Sequence, residues 1–159
     1  MTTIRTLLAL RSRALTKFDA LRAWALLLGR LSVGLVFLST GWGKVHSIPK
    51  VTEFFSSLHI PAPGFNAVLV GYSELLCGAA LVLGLMTRLA TIPLIVSMVV
   101  AIVTAKRDAL HGLFDLVGFD EFTYACVLVM IALLGPGTFS IDALLVRRLE
   151  AAAISPHGR

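Results

Sequence analysis

The chain has 159 residues, of which 57% are apolar and 14% charged, with a mean hydropathy of +0.90 and a formal net charge of +5. Soluble domains carry about 25% charged residues, so the composition excludes an ordinary soluble domain and implies an integral membrane protein. Nucleic-acid binding is excluded by where the cations lie: at the two ends and in short loops, not on one soluble face.

Residues 1–22 alternate Leu7, Leu8, Leu15, Phe18 and Leu21 with Arg5, Arg11, Arg13, Lys17 and Arg22. This pattern predicts a basic amphipathic helix lying on an anionic membrane surface, with Trp24 at headgroup level. No A-x-A cleavage site follows closely, so the first span reads as an uncleaved anchor. That span covers about residues 24–43, and twenty helical residues reach ~30 Å, the thickness of the hydrocarbon layer. Within it and just beyond, RLSVGLVFLSTGWGK (30–44) places Arg30, Gly34, Phe37, Gly41 and Lys44 on one helical stripe. Turning an arginine toward hydrocarbon costs ~2.5 kcal/mol or more, and glycines admit a second backbone. The stripe therefore faces protein.

In the loop 45–65, Pro49 suits the first turn of a short helix, and Val51, Phe54, Phe55 and Leu58 form an i, i+3, i+4, i+7 stripe on the membrane surface. Pro61-Ala62-Pro63-Gly64 stops it. His46 and His59 flank it without the spacing of a metal site. The second span, about 66–86, puts Gly71, Glu74, Gly78 and Leu81 on one face. Met86-Thr87-Arg88 is a turn so short that the third span, about 89–105, must lie antiparallel beside the second. Pro93 is expected in that span's first turn. Residues 109–120 are too short to cross and read as re-entrant or interfacial. The fourth span, about 121–135, is short enough that it should begin earlier, near Leu116 or Val117. Gly135-Pro136-Gly137 ends it. Ser140 or Asp142 then caps a last amphipathic helix ending at Arg147-Arg148.

With four spans, one side holds Arg5, Arg11, Arg13, Lys17, Arg22, Arg88, Arg147, Arg148 and Arg159, and the other holds Lys44, Lys50, Lys106 and Arg107. The positive-inside rule then places both termini in the cytoplasm of a bacterial inner membrane. The fold class is all-α: an integral membrane four-helix bundle with flanking interfacial amphipathic helices. It divides into an N-terminal segment 1–22, a membrane domain 23–145 and a tail 146–159.

Buried charges need partners or water. Glu74 has two candidates, Arg30 and Lys44. Side chains lean toward their helix N-terminus, which carries Arg30 and Glu74 apart and Lys44 toward Glu74. Lys44 is therefore the better partner, and Arg30 should meet a backbone carbonyl, a hydroxyl or a lipid headgroup. A polar cavity open to the outer side follows, built from Lys44, Glu74, His111 and Glu121, with Tyr124 and Trp42 lining it; Arg30 is a further candidate polar group. A quinone headgroup, a small anion or a proton path are its candidate occupants. Helix register alone is the competing account of these charges. No haem, iron–sulfur or zinc spacing, nucleophile triad or phosphate loop occurs, so no intrinsic cofactor or catalytic residue is expected. Cys77 and Cys126 read as small apolar residues, with an inter-helix redox pair as the alternative.

The segments 30–44, GYSELLCGAALVLGLMTR (71–88) and GPGTFSIDALL (135–145) together resemble the DoxX family of small bacterial membrane proteins. Matching positions are Arg30, Gly34, Gly41, Lys44, Glu74, Gly78, Arg88 and Asp142. The resemblance implies a four-helix membrane protein that accompanies redox or thiol-detoxifying systems, related to subunits of quinol oxidase and thiosulfate:quinone oxidoreductase. The expected role is a non-catalytic membrane subunit with a redox partner protein or as a homo-oligomer, in contact with membrane lipids and with quinone as a candidate ligand. The alternative is a small-solute transporter acting as a homo-oligomer.

Overall fold

The computed structural model describes the backbone of residues 2–154 and the side chains of residues 21–151. The described chain is helical throughout: α1 (Thr2–Val45), α2 (Ile48–Ser57), α3 (Pro63–Leu83), α4 (Thr87–Thr104), a 3₁₀ turn (Arg107–Ala109), α5 (Leu113–Gly118), α6 (Asp120–Leu134) and α7 (Ile141–Ile154). No strand occurs among these residues. Among the described residues, three segments are long and apolar enough to cross a membrane: Leu21–Val45 of α1, then α3 and α4. With fifteen residues, α6 reaches ~22 Å, short of the ~30 Å hydrocarbon layer.

The burial pattern inverts that of a soluble protein. On α1, Leu28 and Leu35 are 64% and 53% exposed while Arg30 is 2% exposed; on α3, Leu76 is exposed while Glu74 is fully buried. Water on the outside would reverse both placements, whereas lipid favours them. The core gathers Val33 and Phe37 from α1, Leu81 from α3, Ala90, Leu94 and Met98 from α4, and Leu128 and Ile131 from α6.

The closest approach is between α1 and α3, which run antiparallel. A β-carbon on Gly41 would lie 2.7 Å from the Leu75 Cα, and one on Gly78 would lie 2.5 Å from the Leu38 backbone nitrogen. The glycine faces of the first two spans thus meet each other within one chain. Gly34 lies in the same seam, with a β-carbon there 3.0–3.2 Å from Val82 and the Gly78 carbonyl. Gly71, at the outer end, has ordinary room: the nearest atoms lie 3.4 Å away.

Several boundaries depart from the sequence reading. The helix runs unbroken through residues 22–24; the basic amphipathic face assigned to 1–22 lies largely outside the described side chains. Pro63-Gly64 opens α3 rather than closing the loop before it, because Pro63 sits at the first helical position, where its missing N–H loses nothing. Since α4 starts at Thr87, Pro93 falls in its interior and leaves the Leu89 carbonyl without a helical N–H partner. The extended backbone of Phe119 separates α5 from α6, so the short fourth helix is not lengthened toward Leu116. At the C-terminal end α7 continues past Arg148 to Ile154.

Candidate functional site

Glu74 occupies the middle of α3, on the stripe of small residues facing α1 and α4. Its Oε2 accepts hydrogen bonds from Thr40 Oγ1 (3.0 Å) and from Lys44 Nζ, and its Oε1 accepts one from Ser97 Oγ (3.0 Å). Three helices are thereby tied to one carboxylate that has no exposure of its own. The Lys44 ammonium is different: the lysine side chain remains 29% exposed. Of the two pairings open in the sequence, the one that the side-chain directions favour is present.

Above this cluster lies a groove of about 940 Å³ between α2, α3 and α4. Lys44, Ser73, Glu74 and Ser97 provide its polar base; Phe54 and Phe55 of α2, Leu58 just after it, and Leu69, Val96 and Val100 of the long helices are among its apolar walls. The amphipathic stripe on α2 forms one wall of this groove and packs against α3. Pro93 and Asn66 also reach the groove.

The other residues expected in this cavity lie elsewhere. Neither His111, Glu121, Tyr124 nor Trp42 lines the groove. His111 is exposed before α5, its backbone N–H donating to Asp115 Oδ2 at 3.1 Å. Glu121 lies in the first turn of α6, its Oε1 3.6 Å from Lys106 Nζ. Tyr124 meets Phe37 edge-on at 6.1 Å. Trp42 stacks on the His46 ring at 4.2 Å. The reason is packing order: α6 lies against α4 and α1, while the groove is walled by α2, α3 and α4. Cys77 is half-buried and Cys126 exposed, and they are not bonded to each other.

Arg30 belongs to a second, separate constellation, about four turns before Lys44 on α1. Its guanidinium donates to the Pro136 carbonyl through Nη1 and to the Phe139 carbonyl through Nη2 at 2.6 Å. It therefore anchors the 135–140 loop instead of joining Glu74. Asp142 does not cap its own helix. Its Oδ1 and Oδ2 accept the backbone N–H groups of Met86 (2.8 Å) and Thr87 (3.0 Å), and its own N–H donates to the Gly84 carbonyl (3.0 Å). The turn being held is strained, with Met86 at φ 46°, and a carboxylate at the first turn of α4 also meets the positive end of that helix. Ser140 caps α7, accepting from the Ala143 N–H at 3.1 Å. The Arg88 guanidinium lies against Gly135. Replacing Asp142 with alanine should remove about 2 kcal/mol of stability, while Asp142→Asn should lose less; detergent-solubilised unfolding followed by circular dichroism measures both.

Thr40 and Ser97 were not singled out in the sequence. Thr40 carried a usable signal, since it lies one turn before Lys44 on the same face. Ser97 carried none, being one of four hydroxyls in a helix that is apolar beyond its first turn.

Comparison with known proteins agrees with this architecture. The DoxX family profile matches residues 25–107. The chain is similar to the "Uncharacterized membrane protein Rv3486" of Mycobacterium tuberculosis, 41% identical over 77% of this chain and 82% of that protein. It is also similar to the "Inner membrane protein YqjF" of Escherichia coli, 25% identical over 77% and 92% of the two chains. A Bacillus subtilis protein named "Putative oxidoreductase CatD" is 30% identical over 73% of this chain and 83% of its own length. No solved structure matches. The chain belongs to the DoxX family and is a membrane protein with transmembrane helices.

Proposed function

We propose that this chain is a non-catalytic membrane subunit or anchor of a redox-related assembly, holding a quinone or similar amphiphilic ligand in the groove between α2, α3 and α4. In this reading α1, α3, α4 and α6 each cross a bacterial inner membrane, and both termini are cytoplasmic. The lysine and arginine asymmetry supports that orientation, and the two Escherichia coli relatives named as inner membrane proteins support the location. The contribution of α6 to the shared core supports its placement at membrane depth.

One observation carries the ligand reading: an apolar groove of small-molecule size ends on a partly exposed ammonium whose charge is already balanced by a buried carboxylate. Ligand pockets typically enclose about 300–1,000 Å³, with apolar walls and a few oriented polar groups. Lys44 is a donor left accessible to a ligand carbonyl, and Phe54, Leu69 and Val96 offer apolar contact to a ring or chain. Glu74 has no free face and acts by fixing Lys44. The name of the relative CatD points toward redox chemistry. Passage of a solute through one chain is disfavoured, because Phe37, Leu81, Leu94 and Leu128 are packed beyond the base of the groove.

Gentle affinity purification from native membranes, with mass spectrometry of proteins and lipids, tests the reading. Quinone enriched over bulk lipid, together with a stoichiometric redox protein, is the expected result. Filling the groove with Val96→Trp should remove the quinone and leave the helical circular dichroism unchanged. Recovery of the chain alone, free of quinone, would sink the proposal.

A further inference from the structure

A second cavity, of about 520 Å³, opens at the other end of the molecule between α1, the 135–140 loop and α7. Arg22 of α1 and Arg147 of α7 flank it, Leu26, Leu134 and Val146 give it apolar walls, and Pro136-Gly137 lies between. Both arginines are exposed, and among the described residues neither has a carboxylate within ion-pair distance. Asp142 lines the cavity as well, but both its oxygens are taken by the Met86 and Thr87 N–H groups. Two further cations stand behind it: Arg30, bound to the Pro136 carbonyl, and Arg88, against Gly135. Positive charge thus exceeds negative charge around the cavity: among its described lining residues Asp142 is the one carboxylate, against Arg22 and Arg147 in the lining and Arg30 and Arg88 behind it.

The depth of the cavity identifies what kind of anion fits. Arg22 closes the basic N-terminal stretch and stands directly before the long apolar run of α1 that begins at Ala23-Trp24. Next to it Trp24 stacks on Phe139 at 5.0 Å, an aromatic pair of the type that marks the headgroup level. Leu134 and Val146 are exposed along the outward side, so the apolar wall continues onto the lipid-facing surface. We infer that this cavity binds a phospholipid with an anionic headgroup, its phosphate between Arg22 and Arg147 and an acyl chain along Leu26, Leu134 and Val146. Basic pockets between helices at the membrane surface recognise such headgroups, each basic side chain near the surface strengthening binding several-fold. A free inorganic anion satisfies the arginines but leaves the apolar wall uncovered. The inference stands apart from the groove at Lys44, about six helical turns further along α1 from Arg22.

The full-length protein, exchanged into micelles containing equal amounts of phosphatidylglycerol and phosphatidylcholine, should retain phosphatidylglycerol preferentially in native mass spectrometry. The double variant Arg22→Gln/Arg147→Gln should lower that retention by about tenfold or more. Arg22→Lys/Arg147→Lys should keep most of it. Arg148→Gln removes the same charge from the residue next to Arg147 and outside the cavity lining, and should change retention by less than about twofold. Circular dichroism checks that the glutamine variants stay folded, and Arg147→Gln alone, on the surface of α7, supports the inference with a smaller loss of the same sign. Equal losses from Arg148→Gln and the double variant would overturn the site in favour of diffuse charge. Displacement of the lipid by inorganic phosphate at matched concentration would overturn it in favour of a soluble anion. An absence of headgroup preference would overturn it outright.

Discussion

Lys44→Met is expected to destabilise the fold by about 3–5 kcal/mol, because it leaves a fully buried carboxylate without its cation. The two hydroxyls that remain, Thr40 and Ser97, donate to Glu74 but do not neutralise it. Glu74→Gln should cost much less, about 1 kcal/mol, since the amide oxygen still accepts hydrogen bonds and the released Lys44 ammonium is already partly exposed. The double variant Lys44→Met/Glu74→Gln should then lie close to Glu74→Gln alone. That ordering distinguishes an ion pair from simple packing of the lysine stem, for which the second change would rescue nothing. Denaturant or detergent unfolding of the purified protein, followed by circular dichroism, measures all three differences.

The second large effect belongs to the α1–α3 seam. Gly41→Ala and Gly78→Ala should each destabilise by about 1–3 kcal/mol, since the added methyl group meets backbone rather than a movable side chain. In an open helix the same change would stabilise by up to about 1 kcal/mol, so the expected sign is opposite to helix propensity. Gly71→Ala is the internal control: its neighbours lie at ordinary contact distance, and it should be neutral or slightly stabilising. Gly41→Ala carries a further consequence. It separates α1, which supplies Thr40 and Lys44, from α3, which supplies Glu74, so it should also weaken ligand retention in the groove. If all three alanines stabilised equally, the close approach of these backbones would be wrong.

Much of this arrangement was legible in the chain itself, and the reasons are physical. A 3.6-residue period placed Arg30, Gly34, Phe37, Gly41 and Lys44 on one stripe, and all five lie against partners in the folded bundle as that stripe demands: Arg30, Gly34 and Phe37 are buried or closely packed, Gly41 touches the α3 backbone, and Lys44 pairs with Glu74 of α3. The direction in which helical side chains lean separated Lys44 from Arg30 as partners of Glu74, because that direction depends only on local geometry. What the sequence did not carry was the identity of the neighbouring helix. His111, Glu121 and Tyr124 share the polarity of a cavity residue with Lys44, yet the order in which α2, α4 and α6 surround the bundle sends them away from the groove. Asp142 is the same lesson at the other end. Locally it has the position of a helix cap, but the strained turn at Met86 lies within reach across the fold and needs the carboxylate more. Helix α2 was visible as an amphipathic stripe, whereas its role as a groove wall depends on where α3 and α4 place Leu69 and Val96.

The most direct test of the groove as a ligand site is photolabelling with a short-chain quinone carrying a photoreactive group, followed by peptide mapping. Labels should concentrate within 54–70 and 93–105, fall when unmodified quinone is added in excess, and disappear in Val96→Trp. Labels spread over the lipid-facing surfaces of α1 and α6, unaffected by competitor or by the tryptophan, would contradict it.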